Sequence, residues 1–192
     1  MLTTFIQSVE NRPVWEEMRV LLEDSDIGTE YTRLVQKPNS DWRSHFLSVL
    51  REMQDAPTEY VVRFEDDCVG VNKHIKHNLL TWPALKESIF GAGWGYRPGN
   101  ISGSHDRWWF GGVPGSLCTL FRTEDVPKIL DFCSKANIPQ DLAMSQAVAS
   151  LHREVCIHGP SLVQHSMGVK SSFGHVHGPD STSSCYDPTW KR

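Results

Sequence analysis

The residues best equipped for chemistry are Glu65-Asp66-Asp67, three adjacent carboxylates that close the apolar, β-prone run Tyr60-Val61-Val62-Arg63-Phe64. Adjacent carboxylates repel, so a fold tolerates them where a cation or a hydrogen-bond network offsets the charge. The C-terminal end of a strand in an α/β sheet is also where such folds bind ligands. A hard divalent cation bridging a carboxylate and substrate phosphates fits this composition. An acidic, solvated turn after an edge strand fits it too. Trp94, Trp108 and Trp109 lie in loop-like sequence, the last two just after His105-Asp106-Arg107. Flat rings in loops suit stacking on a ligand; packing in the core or at an interface is the alternative.

The elements that must position these groups alternate. Leu2 to Ser8 reads as a short buried strand. Pro13 suits the first turn of a helix running to about Asp24, with Val14, Met18, Leu21 and Leu22 on one face. Glu30 to Gln36 reads as a second strand. Ser40 or Asp41 can cap a helix through Met53 whose apolar stripe is Trp42, Phe46, Val49 and Leu50. Tyr60 to Phe64 is the third strand. This βαβαβ order implies a parallel sheet with right-handed crossovers. Gly91 to Gly115 is glycine-rich and reads as irregular surface near a site. Its GxG lacks the GxGxxG spacing and a preceding strand, which rejects a dinucleotide fingerprint. Leu117 to Phe121 reads as a strand, with a helix capped by Thr123 and running to about Ala136. Asp141 to Leu151 reads as a further helix and Val155 to Ile157 as a short strand. From Gly159 on, a Gly, Ser, His and Pro-rich segment reads as surface wrapping.

The 192 residues suit one domain with a full core, and 39% hydrophobic with 22% charged residues is ordinary for a globular chain. The net charge of -4, with no long basic run, weighs against nucleic-acid binding by phosphate neutralisation. Five cysteines without a CxxC pair signal neither a disulfide framework nor a zinc ribbon, so a reduced, cytoplasmic setting is expected. The start of the chain has no signal-peptide pattern, and no apolar run is long enough for a membrane span. His74 and His77 stand among lysines and read as a solvated helix face. His175 and His177 with His165 lack a cysteine or acid at zinc-ligand spacing.

Taken in order, these features resemble a GT-A glycosyltransferase. The resemblance rests on the βαβαβ half ending in Glu65-Asp66-Asp67, then on Gly115-Ser116-Leu117-Cys118-Thr119-Leu120-Phe121-Arg122-Thr123-Glu124-Asp125-Val126 as the acceptor-side strand and helix. Pro139-Gln140-Asp141-Leu142-Ala143-Met144 is similar to the helix start that carries an acid facing the sugar. Pro160 to Ser172, including Gln164-His165 and Ser171-Ser172, is similar to the closing segment of small viral or N-acetylglucosaminyl-type transferases. The acids are contiguous rather than a spaced DxD with a neutral centre, which leaves open which of them touches a metal.

The resemblance implies an α/β fold: a Rossmann-like, mostly parallel central sheet with helices on both faces. It implies one domain over residues 1–192, with a nucleotide-binding half (1–70), an acceptor half (71–173) and a tail (174–192). It implies a nucleotide-sugar donor, a UDP-sugar by analogy, and Mn²⁺ or Mg²⁺ held by Asp67 with His165 as a second ligand or a diphosphate contact. Glu65 or Asp66 would hold the ribose or an ordered metal water, and Lys170 the diphosphate. Asp141 would be the general base of an inverting transfer, the alternative being a plain helix-start acid. Trp94, Trp108 and Trp109 would line the acceptor side. The acceptor would be a glycan, a protein or a modified base, in a viral or phage setting. The rival readings are a binding module that kept the fold without catalysis and a nucleotidyltransferase.

Overall fold

The computed structural model describes residues 1–37, 41–83, 90–92, 106–109, 117–151, 155–158, 160–166 and 186–191. Strands β1 (Leu2–Val9), β2 (Tyr31–Gln36) and β3 (Tyr60–Glu65) alternate with helices α1 (Val14–Glu23) and α2 (Trp42–Gln54). Pro13, with its φ of -58°, is already shaped for the helix it precedes. Asp41 caps α2: its carboxylate accepts from the backbone N–H of Arg43 at 3.2 Å and of Ser44 at 3.1 Å. β1 lies between β2 and β3 and is parallel to both, as helical crossovers require.

The chain continues through β4 (Cys68–Val71), α3 (Ile75–Leu80), β5 (Phe90–Ala92), β6 (Asp106–Trp109), β7 (Cys118–Arg122), α4 (Val126–Lys135), α5 (Gln140–Ser150), β8 (Val155–His158) and β9 (Val163–His165). The main sheet has the order β2-β1-β3-β7-β5-β8-β6. It is mostly parallel: β1, β2, β3, β5 and β8 run one way, and β7 and β6 oppose them. β4 and β9 form a separate antiparallel ribbon.

Side chains alternate across the sheet, so each strand feeds two layers. Ile6, Val62, Phe64 and Leu120 pack with Met18 and Leu22 of α1 and Ile75 and Leu79 of α3. Phe5, Val61 and Phe121 pack with Phe46 and Leu50 of α2, Ile129 of α4 and Met144 of α5. Each large apolar side chain withdrawn from water in this way contributes roughly 1.5–3 kcal/mol. Among the described residues, no helix is long and apolar enough to cross a membrane.

Three local expectations are revised. The glycine-rich stretch is not wholly irregular: β5 ends within it and sits between β7 and β8, and β6 forms the sheet edge. Thr123 does not cap a helix. Its hydroxyl donates to the Thr58 carbonyl at 2.6 Å, and Thr123–Asp125 make a single 3-10 turn before α4. The C-terminal segment holds β9 and a docked end. There, Asn72 Nδ2 donates to the carbonyls of Asp187 (2.7 Å) and Trp190 (2.9 Å), Asn78 Nδ2 donates to Trp190, and Lys73 N donates to Pro188 at 2.9 Å. The Trp190 ring meets His158 edge-on at 5.2 Å.

Candidate functional site

The three acids stand at the C-terminal end of β3, in the middle of the main sheet, and pleating sends them to different partners. Arg63 and Glu65, two apart, share a face. Arg63 is fully buried. Its guanidinium lies 3.3 Å from Glu65 Oε1, bonds Gln7 Oε1 and reaches Thr119 Oγ1 at 3.3 Å. Glu65 Oε1 also accepts from Gln140 Nε2. Glu65 thus offsets a buried cation and ties β3 to the first turn of α5, where Asp141 follows Gln140.

Asp66, 1% exposed, turns to the neighbouring strand end. Its Oδ2 accepts from the Ser8 hydroxyl at 2.9 Å and the Val9 N–H at 2.8 Å. Its Oδ1 pairs with Arg12. Ser8 also accepts from Arg33 Nη2 at 2.8 Å, and the Arg33 guanidinium lies 3.9 Å from the centre of the Trp15 ring.

Asp67 is the least satisfied of the three. It is 4% exposed, and its Oδ1 is buried with no hydrogen-bond partner. Its Oδ2 accepts from Arg12 Nη2 at 3.3 Å and lies 3.8 Å from His165 Nε2. Burial, then the charge of Glu65, pushes its carboxyl up to about 6. His165 arrives through the ribbon. Cys68 pairs with His165 in register, and the Ser166 N–H donates to the Asp67 carbonyl at 2.9 Å. His165 Nδ1 lies 2.9 Å from the Ser166 carbonyl. The carbonyl can only accept, so Nδ1 carries a proton there and Nε2 is the ring nitrogen that faces Asp67.

A buried carboxylate with one oxygen short of a donor and the other 3.8 Å from an imidazole nitrogen is a donor set suited to a divalent cation. Among the described residues no group of three or more His, Cys, Asp or Glu side chains gathers around one point; Asp67 and His165 face each other as a pair. Cys68 is adjacent but unsuited. Burial and then the Asp67 charge keep its thiol protonated, and it donates to the Leu117 carbonyl at 3.8 Å.

Four of the groups singled out from sequence, Glu65, Asp66, Asp67 and His165, therefore come together. Asp141 lies in the first turn of α5, and Trp108 and Trp109 lie in the edge strand β6, where only the backbone is described. Trp94 and Lys170 lie outside the described residues, as do His175 and His177. Sequence reasoning missed Ser8, Arg12, Arg33 and Gln140. The signal for the first two was available: they sit at and just after the C-terminal end of β1, the same sheet edge as the acids.

No protein-family model matches the chain, and no curated protein matches it. Among solved structures, A197 from STIV superimposes over 100% of this chain and 98% of its own, with a TM-score of 0.53 at 10% identity. TarS from S. aureus matches over 90% of this chain with a TM-score of 0.52 at 11% identity, and this chain spans 37% of it. The fold is GT-A. A glycosyltransferase involved in the glycosylation of the major capsid of PBCV-1 matches over 70% of this chain and 68% of its own, at 12% identity and a TM-score of 0.45. Identities at this level speak to the fold alone. The acid cluster occupies the C-terminal end of β3, an interior strand of the sheet, and the β4–β9 ribbon brings His165 to it.

Proposed function

We propose that the chain is a metal-dependent glycosyltransferase that moves a sugar from a UDP-sugar donor to a hydroxyl acceptor. The observation that carries this reading is the buried Asp67 carboxylate at the C-terminal edge of the sheet, whose Oδ1 has no hydrogen-bond partner among the described residues and whose Oδ2 lies 3.8 Å from His165 Nε2. Asp67 and His165 would hold Mn²⁺ or Mg²⁺. Such an ion, when bound, supplies positive charge against the diphosphate that leaves with the nucleotide. Glu65 keeps the first turn of α5 against β3 through Gln140. Asp141, in that turn, takes the proton of the acceptor hydroxyl as its oxygen bonds the anomeric carbon, and the bond from that carbon to the diphosphate breaks with its electrons leaving on phosphate. The product then has inverted configuration. Trp94, Trp108 and Trp109 give the acceptor sugar an apolar face, and Lys170 contacts the diphosphate. The acceptor is a glycan, a protein or a modified base, the acidic net charge weighing against nucleic acid.

The test is a thermal-shift screen of nucleotide sugars with and without Mn²⁺, followed by a hydrolysis assay on any hit. A ligand at 100 times its dissociation constant adds roughly 2.7 kcal/mol of stability. The expected result is a Mn²⁺-dependent shift with a UDP-sugar that Asp67→Ala removes, together with slow metal-dependent hydrolysis. Binding without turnover on any acceptor makes the chain a sugar- or partner-binding module. Binding by Asp67→Ala equal to wild type refutes the metal assignment.

A further inference from the structure

The site already contains a cation. Arg12 lies in the turn between β1 and α1, which Asn11 bends through a φ of 59°. Asparagine takes this left-handed conformation more readily than most residues. The turn delivers the guanidinium between the two acids: Nη1 pairs with Asp66 Oδ1, and Nη2 donates to Asp67 Oδ2 at 3.3 Å. The Arg12 side chain is only 13% exposed. Its grip on the two carboxylates is unequal in consequence. Asp66 is held without it, by Ser8 and the Val9 N–H. Asp67 Oδ2 faces Arg12 and, at 3.8 Å, His165, the nitrogen with which it would share an incoming ion.

We propose that Arg12 is a resident counter-cation that a divalent ion must displace from Asp67, and that it remains anchored on Asp66 with one arm freed for the donor's diphosphate. This rests on the reading of Asp67 as a metal ligand. An ion placed between His165 Nε2 and Asp67 Oδ2 meets the Arg12 guanidinium at that same oxygen, and the two cations repel strongly in so desolvated a place. The bare site therefore binds metal weakly. Donor phosphates change the balance twice, by coordinating the ion and by taking up the released guanidinium, so donor and metal bind with positive coupling. Arginine stays charged at every working pH, and its fork can hold two carboxylates or a carboxylate and a phosphate at once; a lysine ammonium is a single point charge.

The test is Mn²⁺ titration of the full chain followed by electron paramagnetic resonance, first without nucleotide and then with UDP. Without nucleotide, Arg12→Gln binds Mn²⁺ at least about tenfold more tightly than wild type, with Arg12→Lys in between. With UDP present, Arg12→Gln loses this advantage because the diphosphate has lost a partner. An Arg12→Gln protein with native circular dichroism that binds bare Mn²⁺ no more tightly than wild type overturns the proposal. So does a folded Arg12→Lys that equals wild type, should the Gln variant not fold. Asp67→Asn separates the two readings. Unchanged Mn²⁺ affinity there with UDP removes Asp67 as a ligand and this proposal with it. Lost affinity there, with Arg12→Gln unchanged from wild type, overturns the role of Arg12 alone.

Discussion

Asp67→Asn should make the metal-free protein more stable as pH rises, at the cost of its function. Burial and the nearby Glu65 charge raise the Asp67 carboxyl from the ordinary 3.8 to about 6. The folded state therefore binds this proton more tightly than the unfolded chain. Its contribution to stability is complete below about pH 3.8 and is lost as pH rises through about 6. Each tenfold difference in proton affinity between the two states is worth roughly 1.4 kcal/mol, so ionised Asp67 costs the folded state about 3 kcal/mol above pH 7. Asparagine keeps the shape and has no such charge. It also places an amide where Oδ1 now lacks a donor, so a pH-independent offset of about 1–3 kcal/mol accompanies the change. The pH dependence of the difference is thus the quantity to read. Urea unfolding of both proteins in chelator, from about pH 4 to about pH 8, should show the variant gaining roughly 2–2.5 kcal/mol on wild type across that range, the remainder having been lost below about pH 4. At the upper end this corresponds to roughly 4–10 °C in Tm for a chain of this length. Saturating Mn²⁺ with UDP should restore wild type and leave the variant unmoved. A difference flat in pH, or one that favours wild type more strongly as pH rises, refutes the argument that desolvation of Asp67 outweighs its pairing with Arg12.

Other outcomes follow from the same contacts. Glu65→Ala strands the fully buried Arg63 beside neutral partners and should cost about 3–5 kcal/mol in urea unfolding, as broken buried ion pairs do; a loss under about 1 kcal/mol would mean Gln7 and Thr119 suffice to hold the charge. Gly70→Ala puts a methyl 2.8 Å from the Tyr186 ring and 2.9 Å from Gln164 Cβ, and should cost about 1–3 kcal/mol with faster proteolysis near residue 186; Tyr186→Ala in the same chain should recover only part, because Gln164 stays in the way. Asp141→Asn should leave donor and metal affinity within about twofold of wild type while cutting kcat by about 10² to 10⁴, and a product that keeps the donor's anomeric configuration would refute Asp141 as the base.

The first half of the fold was legible because its signals are local. Helices α1 and α2 carry full apolar stripes, Pro13 and Asp41 mark their starts, and β3 opens on the apolar run Tyr60-Val61-Val62. β4 and β9 were not legible. At four and three residues they are too short for alternation to register, and they exist because they pair with each other across about half of the chain. The site divides the same way. Three consecutive acids after a strand announce a charged sheet edge. Their separate fates depend on register: Arg63 beside Thr119 and Gln7 beside Glu65 draw the first acid to one face, while the end of β1 captures the second. Arg12 gave no pattern of its own, since a lone arginine in a turn ordinarily meets only water.

The β4–β9 ribbon gives the two proposed metal ligands unequal permanence. Asp67 lies just past the end of β3, an interior strand of the seven-stranded sheet, with the ribbon strand β4 beginning at the next residue. His165 belongs to a two-stranded ribbon, an arrangement that alone is at best marginal in water, and it is kept in place by the core contacts of Cys68, Val71 and Val163 and by the docking of residues 186–191 on Asn72 and Asn78. Releasing that docked end lets the ribbon open on its own, by a sub-global excursion whose free energy is a fraction of the whole. The histidine is therefore held by fewer strands than the acid it faces, and the contacts of residues 186–191 bear on the site without touching it.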